Sequence, residues 1–236
     1  MADRAASPPP QYVKFTFFRI DPAWRRIEPL RKSEDKEEFA AVVAKFEDSL
    51  ILRTYSTVGT RGDCDFFLWT VGSNLDEIQA FHAALNQTRL AGYLSTPHSF
   101  LSVTRRSQYV KAHQREDPAG HGGMRTIVPG NGKYLFVYPF WKTAEWYQLP
   151  MEKRQELMNE HFRIGHRFPD LTIHTTYAFG LDDPEFVLGF EGDNPDSFVE
   201  CVVQLREAKQ RPYTLRDTPI FTGARETIQS ALAKLG

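Results

Sequence analysis

Apolar and polar positions along this chain fall into a fixed order of elements, and the order is run through twice. In the second half, Tyr134-Leu-Phe-Val-Tyr has the length and residue types of a buried strand. Pro150 opens a helix on which Leu157, Met158, His161, Gly165 and Phe168 recur at three- and four-residue steps. Thr172 to Phe179 is β-branched and aromatic, Gly180-Leu-Asp-Asp reads as a turn, and Glu185-Phe-Val-Leu-Gly-Phe returns as its hairpin partner. Asn194 caps a second helix with Pro195 at its first position, and Phe198, Val202, Val203 and Leu205 are predicted to face inward. Thr214 to Thr222 supplies a last short strand broken by Pro219, and residues 224 to 235 form a closing helix. Strand, helix, strand, strand, helix, strand is the ferredoxin-like order.

The first half repeats that order about 120 residues earlier. Lys14-Phe-Thr-Phe-Phe aligns with Lys133-Tyr-Leu-Phe-Val, and Asp63-Cys-Asp-Phe-Phe-Leu-Trp with Asp182-Asp-Pro-Glu-Phe-Val-Leu. Gly72-Ser-Asn matches Gly192-Asp-Asn, Tyr93 falls opposite Tyr213, and Thr96-Pro97 answers Thr218-Pro219. This register predicts an α+β fold of two duplicated ferredoxin-like modules, the dimeric α/β-barrel arrangement, with the sheets packed in a barrel and the helices outside. The expected divisions are a disordered lead-in at 1–10, an N-terminal module at 11–111, a linker loop at 112–132 and a C-terminal module at 133–236. A loop of that length, rich in Gly, His, Asp and Pro, is a candidate lid or pocket wall. The copies differ in one chemically telling place. The second carries His161 in the apolar stripe of its first helix, where the first has small and apolar residues near Ala41.

Composition narrows the functional classes. Hydrophobic residues make up 41% and charged residues 25% of the 236, which suits a globular protein with a substantial core. A net charge of -1 gives no reason to expect nucleic acid or an anionic membrane as a partner. Cys64 and Cys201 have no metal-ligand spacing and no partner pattern for a disulfide framework. No stretch has the length and apolarity of a membrane span or a signal peptide, so the expected compartment is the cytoplasm.

Four motifs carry a resemblance. Tyr138-Pro-Phe-Trp-Lys142, Glu145-Trp-Tyr-Gln-Leu-Pro150, Met158-Asn-Glu-His161 and Phe179-Gly-Leu-Asp-Asp183 follow one another over about fifty residues. In type, order and spacing they resemble the chlorite dismutase-like heme proteins, and among those the coproheme decarboxylases of actinobacterial type. The likeness is sharp from Lys133 to Arg225 and extends to the fold before that. It implies heme as the cofactor, either coproheme acting as substrate and cofactor together or heme b, with iron held by His161. A histidine in an apolar helical stripe is also, by itself, an ordinary hydrogen-bonded core residue. An iron-bound imidazole needs an acceptor at its second nitrogen. In the family a glutamate near the end of the second helix serves. Here the matching stretch is Arg206-Glu-Ala-Lys-Gln-Arg211, with Lys209 or Gln210 at the matching position and Glu207 about one turn earlier; Glu207 is the choice and the Gln210 carbonyl a weaker alternative.

The resemblance also implies roles on the other side of the porphyrin. Chlorite dismutases place an arginine on the strand before the Gly-Leu-Asp-Asp turn. Counting back from the turn gives Ile173 and counting forward from His161 gives His174, with Ile173 preferred because the Phe168-Pro-Asp loop absorbs length changes more easily than a strand. Neither residue reproduces the arginine's charge-assisted hold on an oxyanion. Tyr138 matches the tyrosine that carries a radical in coproheme decarboxylases, and Lys142 the lysine that assists the reacting propionate. Either could also be structural, Tyr138 as a buried core phenol and Lys142 as a strand-end charge. His121, or His113, in the linker is the candidate base for peroxide, provided it stays substantially neutral. Tyr109 and Lys111 resemble the propionate-binding edge, Lys133 and Tyr134 are further candidates, and Trp146 would frame the pocket.

These residues imply a hydrogen-peroxide-dependent oxidoreductase that converts iron coproporphyrin to heme b by two oxidative decarboxylations. Chlorite dismutation is the alternative, weakened by the missing arginine, and a heme carrier or sensor without turnover is an alternative of another class. The family resemblance further implies a homo-oligomer, with a pentamer favoured.

Overall fold

The computed structural model describes residues 9–109 and 126–236. The first copy runs β1 (Tyr12–Ile20), α1 (Pro29–Phe46), β2 (Ile51–Ser56), β3 (Phe66–Gly72), α2 (Leu75–Asn86) and β4 (Leu94–Val103). The second runs β5 (Tyr134–Lys142), α3 (Ala144–Gln148), α4 (Met151–Gly165), β6 (Thr172–Tyr177), β7 (Phe186–Gly192), α5 (Pro195–Glu207), β8 (Thr214–Arg216) and β9 (Phe221–Glu226), before α6 (Ile228–Ala233). The starts of the helices have local causes. The Glu28 carboxylate accepts the Leu30 and Arg31 N–H groups ahead of α1, and the Asn194 side chain accepts the Asp196 N–H ahead of α5.

All nine strands among the described residues belong to one antiparallel sheet, ordered β7-β6-β4-β1-β3-β2-β9-β5-β8, which returns on itself because β7 also pairs with β5. The mixed α+β class is as expected. Three local expectations are corrected. Tyr12 lies opposite Gly72 and Tyr134 opposite Gly192, so the strands that open the two copies are offset by 122 residues, and Lys14 corresponds to Phe136 rather than Lys133. Extended structure persists to Glu226 where a helix was expected from 224, because β9 is pinned on both sides, by β2 and by β5. Val203 is 46% exposed: α5 buries only the narrow stripe through Phe198 and Cys201.

Strand alternation divides the side chains between two faces. Val13, Phe15, Phe17, Phe67 and Trp69 of the first copy meet Leu135, Val137, Val187 and Phe221 of the second in one shared interior. Gly223 sits at the seam, where an added Cβ would come within 2.4 Å of the Phe67 ring. On the outer faces the copies diverge. In the first, α1 sets Phe39 and Val43 directly against Phe18, Phe66 and Leu68, and α6 crosses over to join them through Ile228, Ala231 and Leu232. In the second, α5 packs Phe198 and Cys201 on Phe136, Tyr138 and Phe190. Helix α4 does not join that cluster. Its Leu157 packs instead with Tyr109 and Trp146, so α4 stands off the sheet where α1 is clamped to it.

Candidate functional site

The interval between α4 and the outer face of β5 holds a continuous line of three polar side chains. Gln210, buried just after α5, donates from Nε2 to His161 Nδ1 at 2.9 Å. Its Oε1 accepts from Lys142 Nζ at 2.7 Å. Gln210, and not Glu207, is therefore the group at His161 Nδ1. Glu207 is exposed at the last residue of α5, three residues before Gln210. The sequence left this open because the helix ends before residue 210, so helical spacing could not say which residue turns inward.

Lys142 is 8% exposed, and its Nζ lies 4.2 Å from the Trp146 ring centroid and 5.2 Å from that of Phe140. Burial pushes its pKa down to about 8, against the raising influence of Glu185. Glu185 fixes the end of the strand by accepting the Lys142 backbone N–H at 2.7 Å and the Tyr147 hydroxyl at 2.6 Å. Burial, with a lesser contribution from Lys142, lowers the His161 pKa to about 4. The imidazole is thus neutral at physiological pH, the form in which a histidine binds a metal.

Tyr138 lies on the same face of β5, four residues or about 13 Å from Lys142 along the strand. It is buried and stacks on Phe190 at 6.0 Å. Burial raises its pKa, as does Asp217, so the phenol stays protonated. Asp217 is held by Arg206 at 2.7 Å and by Arg211 at 3.0 Å. Two guanidinium groups on one carboxylate, with Lys142 nearby, leave this margin net positive.

Other expected residues fall in different places. Ile173 packs into the outer cluster that contains Tyr138. His174 is turned to the opposite face, where its Nε2 lies 2.8 Å from Glu191 Oε1 and its ring 5.0 Å from Trp69. The expectation of His174 as a cofactor contact is thereby corrected, since neighbouring strand residues point to opposite sides. Lys133 and Tyr134 sit at the far end of β5, with the Lys133 ammonium 5.1 Å from the Tyr134 ring, and are not gathered with the His161 line. Trp146 is buried between Lys142, Tyr213 and Tyr109. Lys111, His113 and His121 lie outside the described residues.

Two donors were not anticipated as a pair. Tyr109 Oη and Arg154 Nε are buried without a hydrogen-bond partner among the described residues. Both act on the Tyr147 phenol, and the neighbouring Gln155 bonds the Tyr109 carbonyl, so the two belong to one corner beside α4. Unpaired buried donors are costly and suit an acidic ligand group. Among the described residues no three His, Cys, Asp or Glu side chains converge as a free metal ion would require. A single neutral histidine, linked through Gln210 to Lys142, fits a metal that brings its other ligands with it, as a porphyrin does. A cavity of about 220 Å³ lined by Lys14, Thr16 and His82 lies in the first copy, and is too small for a porphyrin.

Comparison with known proteins bears on this arrangement. The model of the chlorite dismutase family matches residues 32–226. The coproheme decarboxylase of Mycolicibacterium smegmatis is 31% identical over 232 residues, covering 95% of this chain and 94% of that protein. The coproheme decarboxylase of Staphylococcus carnosus is 27% identical over 83% of each, and the chlorite dismutase of Ideonella dechloratans is 24% identical over 99% of this chain and 83% of its own. Among solved structures, the chlorite dismutase of Candidatus Nitrospira defluvii in complex with imidazole superposes with a TM-score of 0.87 at 23% identity, over 95% of this chain and 94% of that one.

Proposed function

Because this chain belongs to the chlorite dismutase family, we propose that it is a coproheme decarboxylase, converting iron coproporphyrin to heme b with hydrogen peroxide. The observation that carries this reading is the neutral His161, held through Nδ1 by a buried Gln210, on a helix that stands clear of a sheet face bearing Tyr138. In each of two turnovers a propionate, one peroxide and one proton become a vinyl group, carbon dioxide and two waters. A bound iron porphyrin would be at once the substrate and the centre that relays the oxidising equivalents of the peroxide.

The residues supply the remainder. His161 would hold the iron through Nε2, with Nδ1 facing Gln210. The protonated Tyr138 phenol would give up its Oη hydrogen and take one from the propionate β-carbon; the carboxylate would then leave as carbon dioxide, and the one electron it leaves behind would pass to the iron porphyrin. Lys142, still mainly charged near neutral pH, assists the reacting propionate. Arg206 and Arg211 at the margin, and the unpaired Arg154 and Tyr109 donors, suit a ligand with four carboxylates better than one with two. Ile173 on the Tyr138 face offers no charged donor to chlorite or to a departing oxyanion, which disfavours chlorite dismutation. Among the described residues no helix is long and apolar enough to cross a membrane. We place the enzyme in the cytoplasm as a homo-oligomer, with five subunits favoured.

The test is to titrate hydrogen peroxide into the protein loaded with iron coproporphyrin and to follow porphyrin mass by chromatography. Stepwise loss of two carboxyl groups, abolished by Tyr138→Phe with binding retained, is expected. Binding followed only by bleaching would overturn the reading, and oxygen release from chlorite insensitive to Tyr138→Phe would replace it with chlorite dismutation.

A further inference from the structure

Gln210 faces two groups that make incompatible demands on one amide. Toward Lys142 only the amide oxygen will serve, since an ammonium has donors and no acceptor. That choice directs the amide nitrogen at His161 Nδ1, which must then accept, leaving the imidazole proton on Nε2. A metal bound by Nε2 requires the opposite tautomer, with the proton on Nδ1. The Nδ1–H group would then meet the Gln210 N–H₂ group, donor against donor, in a buried setting.

Resting on the reading of His161 as the iron ligand, we propose that Gln210 is a positioning residue whose amide orientation couples Lys142 to iron ligation. With Lys142 on the amide oxygen, His161 is held in the non-binding tautomer. When Lys142 leaves, the amide turns end for end, and its oxygen accepts a hydrogen bond from the Nδ1–H group of a ligated His161. The ammonium has somewhere to go. It lies against the Trp146 and Phe140 rings and is attracted by the Glu185 carboxylate, so an acidic group entering the cleft competes with Gln210 for it. A carboxylate-bearing porphyrin that draws Lys142 away thereby strengthens its own iron bond. A glutamate at position 210 would accept from both partners at once and would have no such preference, so the coupling belongs to the amide.

The test uses ferric iron coproporphyrin binding by the whole protein and resonance Raman of the ferrous complex, in which the iron–histidine stretching frequency reports the hydrogen bond at Nδ1. Gln210→Glu is expected to tighten binding about tenfold, equivalent to ~1.4 kcal/mol, and to raise that frequency. In the complex with the tetramethyl ester of the same porphyrin, which cannot draw Lys142 away, Lys142→Met is expected to raise the frequency while Gln210 is present and to leave it unchanged in the Gln210→Glu background. A frequency insensitive to Lys142→Met beside Gln210, or Gln210→Glu binding no more tightly than the parent, would overturn the coupling. His161→Ala separates this from the function. If the iron–histidine band survives that substitution, the ligand assignment itself is wrong, whereas its loss together with a flat Lys142→Met response condemns only the coupling.

Discussion

Lys142 offers a thermodynamic check on the buried line that needs no porphyrin. The ammonium is 8% exposed, and its pKa falls from 10.5 to about 8 on folding, chiefly through burial. A lowered lysine pKa means that the unfolded chain holds the proton more tightly than the native one, so stability rises with pH between those two values. Below about pH 8 the charged side chain costs about 3 kcal/mol, and toward pH 10 most of that cost disappears. Lys142→Met removes the titration but leaves one end of the buried Gln210 amide without a partner, whichever way the amide turns, a loss of about 1–3 kcal/mol. The two effects nearly cancel at pH 7. At pH 10 only the second persists, because a neutral amine still donates to Gln210. Denaturant unfolding of porphyrin-free protein and variant at pH 7 and pH 10 should show the difference moving by about 2 kcal/mol in favour of the parent. Ionisations elsewhere in the molecule cancel in that difference. A gap that stays constant across the two pH values would refute the burial-driven shift at Lys142 and, with it, the picture of a desolvated ammonium on Gln210.

Gly223→Ala should destabilise the protein by about 1–3 kcal/mol through overpacking, since the new Cβ meets the Phe67 ring and Tyr55 Cβ at the seam between the copies; thermal unfolding of the porphyrin-free protein reads this. His174→Leu should cost about 3 kcal/mol by leaving the 2%-exposed Glu191 without its ring partner, yet keep iron coproporphyrin affinity, checked by parallel denaturation and titration. Ile173→Arg should raise oxygen release from chlorite by about 10² by adding a charged donor on the Tyr138 face, measured with an oxygen electrode, and no gain would contradict the assignment of that face to the reacting side.

Periodicity and punctuation alone were enough to foresee the two-copy plan, the order of elements and the helix bearing His161, because amphipathic spacing and capping residues act within a few positions of themselves. Asn194 caps α5 as its type predicts, and the 180–183 turn closes the β6–β7 hairpin. The motifs from Tyr138 to Asp183 were likewise legible as a set. The offset of Tyr12 against Tyr134 was not, since strand register depends on the partner strand and a one-residue slip changes which face a side chain occupies. For the same reason only the paired sheet could part Ile173 from His174. The persistence of β9 to Glu226 depends on two neighbours far away in sequence, and that of α4 standing off the sheet depends on Leu157 finding Trp146 and Tyr109 instead of the strands. Gln210 shows the division most clearly. The sequence offered Glu207 and Gln210 as alternatives with the charged one favoured, and the end of α5 at Glu207 decided between them by turning the chain so that the amide, and not the carboxylate, reaches both His161 and Lys142.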